Sequence, residues 1–484
     1  MTDKELEDFL LDLREWQTFE CKRVAVQPSK LLDVVVAFAN TDGGWIALGL
    51  GDPEKVKRED RLVGISENPD NVSEFLKAID KEIDPPLAGW RTLYQDIVNI
   101  HGLKDQLLVI HVLKSDEVHS LKKGETLARR GRQNVKLTAR EILRLQHEKG
   151  AVKFESELSS IRSMELLDQN LLRTYKRDTV SENQDDWQFL RDNGLATKKG
   201  EESVLSNSSV LLFGKNPSIA LGRKCGIKIS HYYGTKPTYT GEPNFVRRPA
   251  SIEGPLLSQI EQTMTYFRNV VKEAPPKLKG ASFRSSLVIP EWVFQEAVTN
   301  AVIHRNYFLQ DDIQIRFFDD RVEVESPGSY PGHITVSNIR TERYARNPLI
   351  QRTLNRFQAA PNLDIGEGVD RMFQVMREKV LYDPLYFPPT IRPNSVLVTL
   401  FNLHRVEDWD TVGKYLDKHY RITNSEARRI TGVKDTLRMS RLLKLWVEKG
   451  VLAKVGDSSK KGTYYTKPGQ EPSPTLFSLP SENK

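Results

Sequence analysis

Between Ser29 and Asp52 the chain spells out a helix, a sharp turn and a strand. A polar residue at Ser29 opens an apolar run from Leu31 to Ala39, which reads as a capped helix. Asn40-Thr41-Asp42-Gly43-Gly44 must stop it, because this cluster favours turns over either regular structure. Trp45 to Leu50 then forms an apolar strand that ends at Gly51-Asp52. If that strand returns beside the Phe19 segment, three carboxylates from Glu15, Glu20 and Asp52 converge near Lys22. Hard cations such as Mg2+ or Mn2+ take oxygen ligands, and a phosphodiester would complete the shell. Lys22 would steady the charge developing on an attacked phosphate. The same letters also describe a surface strand that alternates Glu and Lys to stay soluble.

At 484 residues the chain exceeds one hydrophobic core, and about three domains is the natural expectation. No stretch approaches the roughly 18 unbroken apolar residues of a membrane span. The acidic start M-T-D-K-E-L-E-D does not read as a secretory signal. Cys21 and Cys225 are the only cysteines, too few for a disulfide framework or a zinc cage, so a reduced cytoplasmic protein is expected. Net charge is +6, a mild bias over this length that does not by itself imply nucleic acid. Local clustering says more. Lys122, Lys123, Arg129, Arg130, Arg132 and Lys136 crowd together around Gly131, as a phosphate-tracking groove would need. A merely solvated face is the alternative.

Helix and strand patterns alternate from 30 to 115, including the strand Leu107 to Val112, and Glu141 to Lys149 reads as a closing helix. This predicts an α+β domain on a mixed sheet over 1–150. Residues 151–205 read as a helical connector, 206–403 as a second domain, 404–467 as a third, and 468–484 as a disordered tail. No internal repeat is visible.

The order F-E-C-K-R, A-F-A-N-T-D-G-G, W-I-A-L-G-L-G-D and T-L-A-R-R-G-R-Q-N-V-K-L resembles the AlbA-type domain of Schlafen-like proteins. The resemblance covers about residues 10 to 147. It implies a nucleic-acid-binding domain in which, among nuclease-active members, Glu15, Glu20 and Asp52 would be the metal ligands. It further implies RNA such as tRNA as substrate, a homodimer or higher homo-oligomer, and a setting such as defence against phage.

The second informative string is P-E-W-V-F-Q-E-A-V-T-N-A-V-I-H-R-N-Y. On a helix Val293, Ala297 and Ala301 form an apolar row, while Glu296, Asn300 and His304 share one polar stripe. Such a glutamate can orient a water at a γ-phosphate, and the asparagine oxygen can hold Mg2+. A solvent-facing stripe is the plain alternative. Gly366 and Gly368 can shape a phosphate-cradling loop before a helix at Val369, and Arg343 and Arg346 are candidate phosphate contacts from a lid. The string resembles the N box of GHKL (Bergerat-fold) ATP-binding domains, which implies an α/β sandwich that binds ATP. Where that family carries an adenine-reading aspartate, this chain has Ser326-Pro327-Gly328, so binding is expected and hydrolysis is not.

Residues 208 to 233 read as strands, and 251 to 272 as a long helix. The C-terminal segment reads helix (Val412–Lys418), helix capped at Thr423, helix (Thr436–Lys449) and two strands, and resembles a winged helix. Arg438, Arg441 and Lys444 would face DNA, with Lys460 and Lys461 in the wing. Two functions follow. One is a metal-dependent endonuclease, RNA favoured, governed by nucleotide; the other is an ATP-binding DNA-binding regulator that breaks no bond.

Overall fold

Strands β1 (Phe19–Lys22) and β2 (Gly44–Leu48) flank helix α1 (Pro28–Asn40), and the crossover returns the chain in the same direction. They therefore pair in parallel, Phe19 opposite Trp45 and Lys22 opposite Leu48. The helix begins earlier than the sequence pattern predicts. Gln27, not Ser29, is the N-cap, because Pro28 fits the first helical turn. The computed structural model describes residues 11, 15–238, 240–273, 287–362, 366–389, 391–406, 408–419, 421–455 and 463–469. These fall into two units, 1–151 with 411–439 and 453–484, and 152–410 with 440–452.

In the first unit, helix α2 (Pro69–Glu82) precedes the hairpin of β3 (Trp90–Val98) and β4 (Lys104–Val112). The sheet runs β1-β2-β4-β3, with β4 antiparallel to both neighbours. Alternation along the strands gives it two apolar faces. Ile46, Leu48, Leu108 and Ile110 pack with Val35, Phe38, Phe75 and Ile79 of the two helices. Phe19, Cys21, Trp45, Ala47, Leu107 and Val109 form a smaller cluster with Leu62 and Ile97.

The basic stretch forms a separate hairpin, β5 (Leu127–Arg130) and β6 (Gln133–Lys136), turning at Gly131 with φ +60. Asn40 fastens it to the end of α1. Its amide nitrogen donates to the carbonyls of His119 (2.7 Å) and Leu127 (2.8 Å), and its oxygen accepts the His119 N–H (2.8 Å). The Thr41 hydroxyl accepts the Arg129 N–H at 2.9 Å. Each such group left unpaired inside would cost about 1–3 kcal/mol. The A-F-A-N-T string is thus architectural.

Helix α3 (Ala139–Lys149) opens with a Thr138–Glu141 capping box and ends at left-handed Gly150. Lys149 is buried, donating to the carbonyls of Ala39 (3.0 Å) and Ser115. Burial, with Lys114 nearby, pushes its ammonium from the usual 10.5 down to about 7. Between those two values the unfolded chain holds the proton and the folded one does not, so stability rises with pH across that window. Below about pH 7 the cost of the buried charge is present in full. Lys149→Met should flatten this slope, as denaturation series at pH 6, 8 and 10 would show.

The second unit opens with α4 (Gln169–Asp178), α5 (Asp186–Asp192), a β7–β8 hairpin (Ala196–Lys199, Glu202–Leu205) and α6 (Asn207–Phe213). The run Ser208 to Phe213, predicted as a strand, is this last helix. It is buried on every side, where periodicity does not separate helix from strand, and Ser206 caps it through the Ser209 N–H. The region predicted as a connector shares the unit's main core: Phe154, Leu172, Tyr175 and Phe189 cluster with Ile227, Val298 and Leu400.

A six-stranded sheet follows, of β9 (Ile227–Tyr232), β10 (Phe245–Ile252), β11 (Ile313–Phe317), β12 (Arg321–Pro327), β13 (Leu385–Tyr386) and β14 (Ser395–Phe401). Its order is β10-β9-β11-β12-β14-β13, with only β9 and β11 parallel. Helix α7 (Leu256–Glu273) starts later than predicted, because Ser251 and Ile252 finish β10. Helices α8 (Glu291–His304), α9 (Pro348–Leu354) and α10 (Gly368–Glu378) complete this layer.

The C-terminal segment runs α11 (Trp409–Lys418), α12 (Asn424–Thr431), α13 (Thr436–Glu448), then antiparallel β15 (Ala453–Val455) and β16 (Tyr464–Thr466). Lys460, Lys461 and residues 470–484 lie outside the described residues. Among the described residues no helix is long and apolar enough to cross a membrane.

Candidate functional site

Because β1 alternates, Phe19 and Cys21 join the smaller apolar cluster while Glu20 and Lys22 point to the other face. Lys22 Nζ lies 2.8 Å from Glu15 Oε1 and 2.5 Å from Glu20 Oε1. The second Glu20 oxygen meets the Arg129 guanidinium at 2.6 Å, both side chains being almost wholly buried. Asp52 pairs with Lys55 at 3.1 Å and accepts the Glu54 N–H at 2.9 Å. Burial pushes its carboxyl up, but those contacts and the charge of Lys22 outweigh it and hold it below the usual range. Burial also works to lower Lys22, yet its two glutamates keep its ammonium above the usual value.

Glu15, Glu20 and Lys22 therefore come together as predicted, but as ion pairs. The predicted three-carboxylate metal centre does not fit this arrangement. Lys22 sits between two of the ligands, and Arg129 takes the remaining oxygen of Glu20. Among the described residues no three acidic, histidine or cysteine side chains are grouped to hold a metal ion.

The basic hairpin divides by side. Arg129 does not face outward: it is 2% exposed and donates to the Trp16 carbonyl (2.8 Å) and Asn134 Oδ1 (2.9 Å) as well as Glu20. The alternation from Leu127 sends it inward, a signal the sequence carried. Arg130 and Arg132 are exposed, paired with Glu141 and Glu54, and exposed Lys136 pairs with Glu125. Surface pairs of this kind are worth little, so phosphate oxygens can replace the carboxylates. Lys122 and Lys123 are exposed in the preceding turn.

In the second unit α8 presents Val293, Ala297 and Ala301 to the core, while Glu296, Asn300 and His304 line a cavity of about 380 Å³. That size suits a small-molecule ligand. Asn300 Nδ2 donates to Glu296 Oε1 at 3.0 Å, which presents the amide oxygen as the ligand a Mg2+ would use. Burial raises the Glu296 carboxyl above the usual range against the Asn300 bond and the Arg371 charge. Burial, with the charge of Arg346, pushes the His304 imidazole down to about 4, so it is neutral at pH 7.

The glycines fit the same site. A Cβ on Gly368 would stand 1.8 Å from Glu296 Oε1, and one on Gly366, at φ +70, would stand 2.3 Å from Arg343 Nε. Together they open bare backbone at the start of α10, where helix N–H groups favour an anion. Arg343, a candidate phosphate contact, lines the cavity. Arg346 does not serve that purpose. It is buried and ties the His304 carbonyl (2.8 Å) to that of Ser329 (2.6 Å). Ser326 lines the cavity and donates its hydroxyl to the Ala301 carbonyl at 2.8 Å. Sequence reasoning missed Trp292, which lies one turn before Glu296 on the same stripe and stacks with Arg371 at 4.8 Å. Its i−4 spacing was the available clue.

On α13, Met439, Leu443 and Trp446 are buried, whereas Arg438, Arg441 and Lys444 are exposed at three-residue spacing.

Residues 15–138 match the family model described as "Schlafen, AlbA_2". Residues 310–400 match the model described as "Putative ATP-dependent DNA helicase recG C-terminal". No curated protein matches the chain. Among solved structures the chain is similar to the DIP2311 protein from Corynebacterium diphtheriae, 19% identical, covering 98% of each chain, with a TM-score of 0.41. The chain thus carries a Schlafen AlbA_2 domain over residues 15–138 and a GHKL-like ATPase domain over residues 310–400.

Proposed function

We propose that this protein binds nucleic acid and is regulated by a magnesium nucleotide held in the cavity below α8. The observation that carries the reading is the basic hairpin. Arg130, Arg132 and Lys136 stand exposed on a support fixed from within by Arg129, Glu20 and Asn40. Such a rigid basic ridge tracks a phosphate backbone without reading sequence. Arg438, Arg441 and Lys444 on α13 supply a second contact, to duplex DNA, if the C-terminal segment acts as a winged helix. The active form is a homodimer or higher homo-oligomer in the cytoplasm. The cavity binds ATP, and slow or absent turnover follows from the Ser326-Pro327-Gly328 turn that stands where an adenine-reading aspartate would.

A second reading, Mg2+- or Mn2+-dependent cleavage of RNA, draws on one observation: Glu15, Glu20 and Lys22 gather in one place, with Asp52 within reach of the Lys22 charge. The ion pairs on both glutamates oppose it. The test is labelled tRNA and duplex DNA incubated with the full chain, with and without Mn2+, beside Glu15→Gln and Glu20→Gln. Binding that weakens steeply with salt, with intact product, supports the regulator. Cleavage lost in both variants establishes the nuclease instead, and a cleaving protein would suit antiviral defence. Failure to bind either nucleic acid defeats both.

A further inference from the structure

Among the described residues strand β3 is the outer strand of the first unit's sheet, and the register of its ladder shows which way its outward backbone groups point. Asn99 N–H donates to the Leu103 carbonyl at 2.9 Å, and Leu113 N–H to the Gly89 carbonyl at 2.7 Å. Both lie in the register that pairs Trp90 with Val112 and Val98 with Lys104. In an antiparallel ladder hydrogen-bonded pairs alternate, so the odd residues of β3 bond to β4. The even ones, Thr92, Tyr94, Asp96 and Val98, turn N–H and C=O away from β4, the Asp96 carbonyl meanwhile accepting from the exposed Gln95 Nε2 at 3.1 Å, a bond a partner strand can replace.

Natural proteins usually blunt such an edge with lysine, proline, a bulge or short length. This one runs nine residues in unbroken register with neither lysine nor proline, its only charges being Arg91 and Asp96, of opposite sign. Apolar side chains also gather there: Tyr94 is 48% exposed, Val98 54%, Ile100 43% and Leu103 63%.

We propose that this edge is the seam of a homodimer, formed when β3 of two copies pair antiparallel about a two-fold axis through Tyr94. A closed two-fold contact must be self-complementary, and the even positions meet that condition. Trp90 faces the partner's Val98, Thr92 faces the partner's Asp96, and Tyr94 faces the partner's Tyr94. Each is a favourable cross-strand pair, aromatic with aliphatic, hydroxyl with carboxylate, ring with ring. This register overlaps all nine residues, whereas centring on Asp96 would set carboxylate against carboxylate. The two four-stranded sheets become one of eight strands, and the open edge disappears.

This inference rests on the reading that the chain self-associates, and adds the surface it uses. Native mass spectrometry of the full chain at micromolar concentration tests it, beside Tyr94→Pro and Val98→Lys. Proline at Tyr94 removes an outward N–H and leaves the bonds to β4 intact. Lysine at Val98 adds a charge at the seam without touching the backbone. The parent should be a dimer, and both variants monomers with the parent's circular dichroism. If Tyr94→Pro does not fold, Val98→Lys alone decides. A monomeric parent overturns self-association altogether. A dimer that persists in the folded variants keeps self-association and overturns this seam.

Discussion

Arg129→Met should destabilise the first unit by about 3–5 kcal/mol, the range for breaking a buried ion pair from one side. Glu20 would keep Lys22 but lose its partner at 2.6 Å, and the Trp16 carbonyl and Asn134 would lose their donor. The measurement is hydrogen exchange over β5, β6 and β1, where protection should fall in the variant. Arg130→Ala and Arg132→Ala give the contrast. Their ion pairs are exposed, so stability should barely change while nucleic-acid affinity drops. Were Arg129 itself a phosphate contact, the variant would lose affinity with its protection unchanged.

The second large effect belongs to the cavity. Gly368→Ala should remove most of the thermal stabilisation that Mg·ATP gives the parent, since the new Cβ would stand 1.8 Å from Glu296 Oε1. A ligand at a hundred times its Kd stabilises the folded state by about 2.7 kcal/mol, so the loss is readily measured. Asn300→Ala separates metal ligation from shape. It should weaken the ATP shift in Mg2+ and have little effect in EDTA, because the amide oxygen serves the cation. Equal shifts in parent and Gly368→Ala would mean that the nucleotide binds elsewhere.

How far the sequence revealed this depended on local signals. The turn at Asn40–Gly44 dictated both the end of α1 and the start of β2, and the parallel pairing of β1 with β2 followed from the crossover. The α8 stripe was legible because three polar residues at helical spacing interrupt a buried helix. Helix α6 was not, since a run buried on all sides has no periodicity. Glu15 and Glu20 come together, as the sequence suggested, but as ion pairs that the sequence did not reveal. Their partners were hidden: Arg129 is more than a hundred residues away from Glu20, and nothing local says that Lys22 fills the space between two glutamates. Arg346 was misread for the same reason, its carbonyl partners lying on other elements.

Fluorescence anisotropy of labelled duplex DNA and tRNA, titrated with the full chain with and without Mg·ATP, asks most directly whether nucleotide governs nucleic-acid binding. The proposal expects the parent's affinity to change several-fold when Mg·ATP is added, and Asn300→Ala to bind nucleic acid without responding. Identical curves with and without Mg·ATP in the parent, under conditions where the cavity is saturated, would contradict it.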